Sequence, residues 1–467
     1  MSTRGGTMHT RTTRRATAVL GLALLSSLVA ACGDGGGAGA AAGGPETTAA
    51  SAEAGPTAAS ELTEPVTIRF ENYNLAAAGP GRDATLAMLA EFEEANPFVT
   101  VETKATGSEE MFPSIQAQVV AGDPPDVAQV LLREWDQNVE NLPLVTLESA
   151  VGEEELHAHL DAGHPFHPRA AALTERDGQT YGLPYVFSTP TLFYNADLFG
   201  AAGLDPDAPP ATWAEVHQAA KAISEETGKG GLYIACIELD WCTQSLVRSN
   251  GGRVMSEDRS EITWDGPAAI EVYETWAEMV DDGSHVELTG SEASDAFLAG
   301  NVAMFLQTSA QQGQFLEASA GAWELRTTGL PAYGTKTAVP VNSGSGLAIL
   351  ATEPAEQRAA WELVKFLTSE QAFQTITTQI GYLPLRAGML DDDQWLGTWE
   401  NRTLIEPNIR QLDDLEPSLS FPGTNAKQIR DLFLDSLHRV LFEGEDATAV
   451  FTESRERATA LAPKVGS

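Results

Sequence analysis

Three thiols and a run of imidazoles are the first groups in this sequence that could do chemistry. Cys32 closes the stretch Leu28-Val29-Ala30-Ala31-Cys32, behind the apolar run Ala18–Ala31 and four arginines, Arg4, Arg11, Arg14 and Arg15. Basic n-region, short apolar h-region and small-residue cut point make a secretory signal, and the run is too short to span a bilayer conventionally. Cys236 and Cys242 bracket Cys-Ile-Glu-Leu-Asp-Trp-Cys, neither a CxxC motif nor a usual zinc spacing. In an exported body disulfides persist, so a short-loop disulfide that stiffens the loop bearing Trp241 is expected, with free thiols as the alternative. His157, His159, His164 and His167 lie close together. Imidazole clusters bind zinc, but this spacing matches no tight site and the segment reads as a surface loop. Glycosidase chemistry needs two carboxylates across a sugar; with 66 acidic residues pairs abound, and no motif selects one. Gly344-Ser345-Gly346 is not a nucleophile elbow, because Ser343 stands where the first glycine belongs. No catalytic residue, metal ligand or cofactor is assigned; zinc binding and carbohydrate hydrolysis stand as the rival readings.

The elements that must position these groups alternate. Val66–Phe70 reads as a strand, Leu86–Ala95 as a helix stopped by Asn96-Pro97, and Val99–Thr103 as a second strand. Met111–Ala121 reads as a helix ended by Gly122, and the apolar run Val127–Leu132 as a third strand. Thr191–Tyr194, Leu232–Ala235 and Gly346–Leu350 are strand-like; Trp213–Thr227, Pro267–Asp281 and Pro354–Thr368 are helical. Strand alternating with helix predicts an α/β chain with parallel sheets. The segment between Cys32 and Glu64 is nearly all Gly, Ala, Ser, Thr, Pro and a few Glu, and predicts a disordered tether. About thirty such residues reach roughly 30 Å. The remaining body, roughly four hundred residues, is too long for one core and implies two domains. A formal net charge of −38 argues against nucleic acid as a partner and against adsorption to anionic lipid.

Several segments together resemble the extracellular solute-binding proteins of carbohydrate-type ABC importers. They are Phe92–Pro97, Gly122–Val130, Tyr181–Leu198, Ala202–Trp213, Phe297–Phe305, Val339–Ile349 and Gly381–Pro384. The last of these, with Ser188-Thr189-Pro190, is similar to the glycerol-3-phosphate-binding subgroup, and Cys32 resembles the acylated cysteine of a lipobox. The resemblance implies a type II periplasmic-binding-protein-like fold, with two α/β lobes, crossing strands between them and a ligand in the cleft. It implies an N-lobe of 65–186 plus 341–390 and a C-lobe of 187–340 plus 391–467. A monomer held by a lipid anchor would capture a small carbohydrate or polyol and deliver it to ABC permease subunits in the membrane.

The resemblance also points to ligand-facing residues. Trp241 falls where the family puts an aromatic platform, although a core-packing role is the default for a tryptophan. Tyr382 matches a tyrosine that meets ligand hydroxyl or phosphate, and Glu110 a carboxylate that accepts from ligand hydroxyls. Ser188 and Thr189 lie at the implied first crossing, and Thr308 and Ser309 follow the apolar run Val302–Leu306. Ser343, Gly344 and Ser345 form a loop able to offer backbone N–H groups. The subgroup's phosphate-gripping Arg has its counterpart near Ser420–Pro422, where no arginine stands. Lys427 and Arg430 read as residues of a solvated helix face, so a neutral sugar or polyol is favoured over glycerol-3-phosphate or a glycerophosphodiester.

Overall fold

The computed structural model describes residues 62–463. The expected signal segment, Cys32 and nearly all of the expected tether lie outside the described residues.

Two sheets carry the fold. The first contains β1 (Val66–Asn72), β2 (Val99–Ala105), β3 (Val127–Leu131), β4 (Leu183–Ser188) and, much later in the chain, β9 (Ser343–Ile349); its order is β2-β1-β3-β9-β4. The second contains β5 (Pro190–Asn195), β6 (Gly230–Ile234), β7 (Val302–Thr308) and β8 (Leu325–Thr328), in the order β8-β5-β7-β6. Strands β3, β4 and β5 are buried at every position, which is why they read as continuous apolar runs rather than alternating ones. The sheets are mixed, not parallel throughout. β9 runs antiparallel to both β3 and β4, and β5 antiparallel to β7 and β8. These reversals arise where the chain leaves one sheet for the other.

Local signals set the helices. Trp213–Thr227 opens on a capping box between Thr212 and Glu215 and ends at Gly228 in the left-handed region. Met111–Ala121 ends at Gly122 in the same way, and Pro80 opens the first helix, Pro80–Ala95, six residues before the periodic run begins. The histidine segment is not all loop: His157 and His159 sit on a helix, Glu153–Leu160.

Each sheet anchors its own hydrophobic core, one built on Ile68, Phe70, Val127, Tyr185 and Trp361, the other on Phe193, Tyr233, Trp264, Phe305 and Phe433. The chain passes between the cores at Thr189, which joins β4 to β5, and again before β9. It passes a third time near Glu416, where Val341 pairs with Glu416 and the Glu416 N–H donates to the Pro340 carbonyl at 3.0 Å. The stretch 391–415, expected in the second lobe, contributes Leu396, Ile405, Leu412 and Leu415 to the first core, while Leu404 packs in the second. Pro417 directly follows Glu416 and breaks the chain there, but a lone proline marks a turn and not a change of lobe.

Candidate ligand cleft

A cavity of about 380 Å³ lies between the lobes, floored by the crossing segments. The first lobe supplies Tyr73 from the end of β1, Ser108 and Glu109 from the turn after β2, Arg133 from the turn after β3, and Tyr382. The second supplies Asp240 and Trp241 from the start of the helix Asp240–Ser249, Thr308 from the end of β7, and Arg430 from the helix Ala426–Phe442. Ser188, Ser343 and Gly344 line it from the crossings.

Trp241 does two jobs. It is only 4% exposed and belongs to the second lobe's core, yet it also borders the cavity. It does not sit on a loop. Cys236 and Cys242 form a disulfide that ties the turn Ala235–Glu238 to the first turn of the helix, and the Thr243 hydroxyl donates to the Cys236 carbonyl at 2.7 Å. The indole is thereby held on a helix start with Asp240 beside it. Burial pushes the Asp240 carboxyl up from its ordinary value, against the pull of Arg133 and Arg430.

Charge dominates the opposite wall. Glu109 accepts from Arg133 of its own lobe, and its other oxygen is 3.3 Å from Arg430 of the second lobe. Arg430 is only 20% exposed, so it is no residue of a solvated face; Lys427, 73% exposed and paired with Asp431, is one. The segment thought to lack a phosphate-gripping arginine packs Phe421 into the core, and nine residues further on, in the helix Ala426–Phe442, Arg430 borders the cleft. Arg133 has no counterpart in the sequence reading. Its signal is its position directly after β3, because α/β sheets place ligands at the carboxyl ends of their strands.

Behind the charged wall lies a polar layer. The Tyr73 hydroxyl reaches the Ser345 hydroxyl at 3.3 Å, and Gln129 Nε2 donates to the same oxygen at 2.8 Å. Ser345 is therefore engaged beneath the cavity and does not border it. Burial raises the hydroxyl pKa of Tyr382 and raises that of Tyr73 further, so both are neutral donors across the physiological range.

Other expected residues part company with the cavity. Glu110 does not border the cavity; both glutamates of the short turn Ser108–Glu110 are exposed, and the preceding residue, Glu109, is the one that lines it. Thr189 is fully buried, its hydroxyl accepting from Asn408 Nδ2 at 2.8 Å. Ser309 is buried behind Thr308, its backbone N–H donating to the Thr189 carbonyl at 3.0 Å. Ser188 does reach the cavity, and its hydroxyl accepts from Thr308 at 2.7 Å. Gly344 has a backbone reason to be glycine: at φ +114° its Cβ would stand 2.0 Å from the Val186 carbonyl oxygen.

Three of the four clustered histidines, His159, His164 and His167, have structural partners. His159 lies 2.8 Å from the Thr368 hydroxyl and beside buried Arg386, His164 meets Glu370 at 2.5 Å, and His157 is exposed. Among the described residues no group of three or more His, Cys, Asp or Glu side chains is disposed to hold a metal ion.

Two lobes, strand crossings, and a cleft lined by aromatic, hydroxyl and charged groups define a two-domain ligand-capturing protein of the periplasmic-binding type. Residues 87–403 match the family model of bacterial extracellular solute-binding proteins, and the chain belongs to that family. It is 25% identical over 303 residues to the sn-glycerol-3-phosphate-binding periplasmic protein UgpB of Brucella melitensis, covering 62% of this chain and 69% of the relative. Among solved structures it superposes on the sugar-binding protein MalE from Xanthomonas citri with a TM-score of 0.72 at 20% identity, over 85% of this chain and 97% of that one. It superposes on UgpB from Mycobacterium tuberculosis, solved with glycerophosphocholine, with a TM-score of 0.70 at 21% identity, over 85% and 98%. A third neighbour is the cyclic α-maltosyl-1,6-maltose binding protein from Arthrobacter globiformis, with a TM-score of 0.71 at 21% identity over 86% and 100%.

Proposed function

We propose that this chain is the non-enzymatic, substrate-capturing component of an ABC importer, anchored to the outer face of the cytoplasmic membrane by lipid on Cys32. Its ligand is a small carbohydrate or polyol, held between Trp241 and the tyrosine pair Tyr73 and Tyr382, with Ser188, Thr308, Ser343 and the Gly344 backbone within reach of its hydroxyls. The observation that carries this reading is that one interlobe cavity gathers an aromatic face and several fixed hydroxyl groups. Closure of the lobes is driven by contacts that a ligand makes with both at once.

Arg133 and Arg430 favour a second version, in which the polyol carries a phosphate ester. Two guanidinium groups in one partly desolvated cleft suit an oxyanion, and Glu109 is the group such an anion would displace. A thermal-shift screen of the mature protein against mono- and disaccharides, polyols, glycerol-3-phosphate, glycerophosphodiesters and zinc tests both versions. A ligand at a hundred times its Kd adds about 2.7 kcal/mol of stability. A shift with a neutral sugar or polyol supports the first version, and a shift confined to phosphate compounds the second. No shift with either class, or a shift with zinc alone, overturns the reading. The anchor is checked separately: Cys32→Ala should abolish incorporation of labelled fatty acid and release the protein from the membrane.

A further inference from the structure

A second charge cluster joins the lobes away from Trp241 and Tyr382. Its centre is Arg259, on a tight turn of the second lobe. The Met255–Ile262 bridge closes the turn, the Arg259 N–H donates to the Ser256 carbonyl at 3.0 Å, and the Asp258 carboxylate accepts from the Ser256 and Ser260 hydroxyls, each at 2.7 Å. Within this turn Arg259 adopts φ +60°, one of two non-glycine residues among those described with positive φ. A bulky side chain held there is backbone strain that the surrounding turn maintains, and such strain clusters where it serves a purpose. Here it aims the guanidinium at the first lobe. Nη1 lies 3.3 Å from Asp136 and 3.3 Å from Glu140, both on the first-lobe helix Trp135–Asn141, while Nε donates to the Ser420 carbonyl of its own lobe at 3.0 Å. Arg176 of the first lobe pairs with the same two carboxylates. The cluster rims a second interlobe cavity of about 480 Å³; Arg259 is only 11% exposed, whereas Asp136 is 28% and Glu140 46% exposed, so the guanidinium is the desolvated partner.

We propose that Arg259, with Asp136 and Glu140, is an interlobe latch that biases the lobes toward closure whatever ligand the cleft takes. The Arg430–Glu109 contact cannot serve this way, because it occupies the ligand cavity and a ligand competes with it. Arg259 lies outside that cavity, so its contacts with Asp136 and Glu140 add to closure with or without ligand. Arg176 already neutralises part of the carboxylate pair, which keeps the latch weak enough to open for release.

The test is the interlobe distance distribution of the full mature protein without added ligand, measured by scattering and by a pair of fluorophores, one on each lobe. Wild type at low salt should populate a closed arrangement, and Arg259→Gln should shift the population toward open. Molar salt should shift wild type the same way and leave Arg259→Gln little changed, since screening weakens charge pairs. Arg259→Lys should fall between. The double variant Asp136→Asn/Glu140→Gln acts from the other lobe and should reproduce the shift, which covers the case in which the Arg259 turn does not tolerate change. Identical distributions for wild type and all variants at every salt concentration would overturn the latch. Once a ligand is known, Arg259→Gln should raise its Kd about two- to fivefold, mainly through faster release. Failure of every ligand in the screen would sink the proposed function while leaving the distance measurements to judge the latch by themselves.

Discussion

At the scale of single residues, the cleft separates two roles that sequence merges. Trp241 is both core and wall. Trp241→Ala should therefore cost about 3–5 kcal/mol of stability through the cavity it leaves, and loss of binding in that variant would say little. Trp241→Leu keeps much of the packing and removes the aromatic face; it should hold the fold and weaken a sugar or polyol about two- to tenfold by calorimetry. Unchanged affinity would assign the indole to the core alone. Arg430→Ala separates the two ligand versions. It should weaken a phosphate ester about 10- to 100-fold, as expected for a lost charge-assisted contact, and a neutral sugar less than about fivefold. The sequence pointed to the turn after β2 but chose Glu110 where Glu109 faces the cavity. On a three-residue turn one position decides inward from outward, and no periodicity is long enough to set the phase. Arg430 was misplaced for a related reason: the helical period identifies a polar face, not which polar face meets the other lobe.

At the scale of elements, legibility followed local chemistry. Met111–Ala121, Trp213–Thr227 and Pro267–Asp281 have the limits their sequences suggest, because glycine or proline punctuation and capping groups lie inside the segments themselves. Strand direction is not local. Nothing within Ser343–Ile349 says that it enters the first sheet antiparallel to both neighbours, since that depends on an excursion of about 150 residues through the other lobe. What the element does carry is Gly344. It pairs with Phe187 across β4 and approaches the Val186 carbonyl too closely for any Cβ. Gly344→Ala should destabilise the protein by about 2–4 kcal/mol, from positive-φ strain plus the clash, read as a lower urea midpoint. An unchanged midpoint would mean that β4 and β9 do not approach as described. The same substitution alters the cleft floor, so binding should fall with stability rather than independently of it.

At the scale of the whole molecule, two opposing electrostatic effects meet as pH falls. A net charge of −38 means that mild acid relieves self-repulsion and favours the compact state. Buried imidazoles oppose this. Desolvation lowers His285 to about 3, and desolvation together with neighbouring Arg386 lowers His159 to about 3. The unfolded chain binds these protons near pH 6.5 and the folded chain does not until about pH 3, so between those values the unfolded state holds more protons and stability falls with pH. Each group contributes up to about 1.4 kcal/mol per pH unit within that window. Below it, carboxylates held low by their hydrogen bonds and ion pairs, such as Asp282 at about 2, lose their contribution as well. Repulsion among surface charges is screened by salt, whereas the cost of charging a buried ring is not. In molar salt, therefore, Tm should drop steadily from pH 7 to pH 4. His285→Gln, which retains an acceptor for the Ile234 N–H that now donates to His285 Nε2 at 3.0 Å, should remove about half of that slope. A variant whose Tm falls as steeply as wild type would show that His285 is protonated in the folded state and that the acid sensitivity resides in the carboxylates.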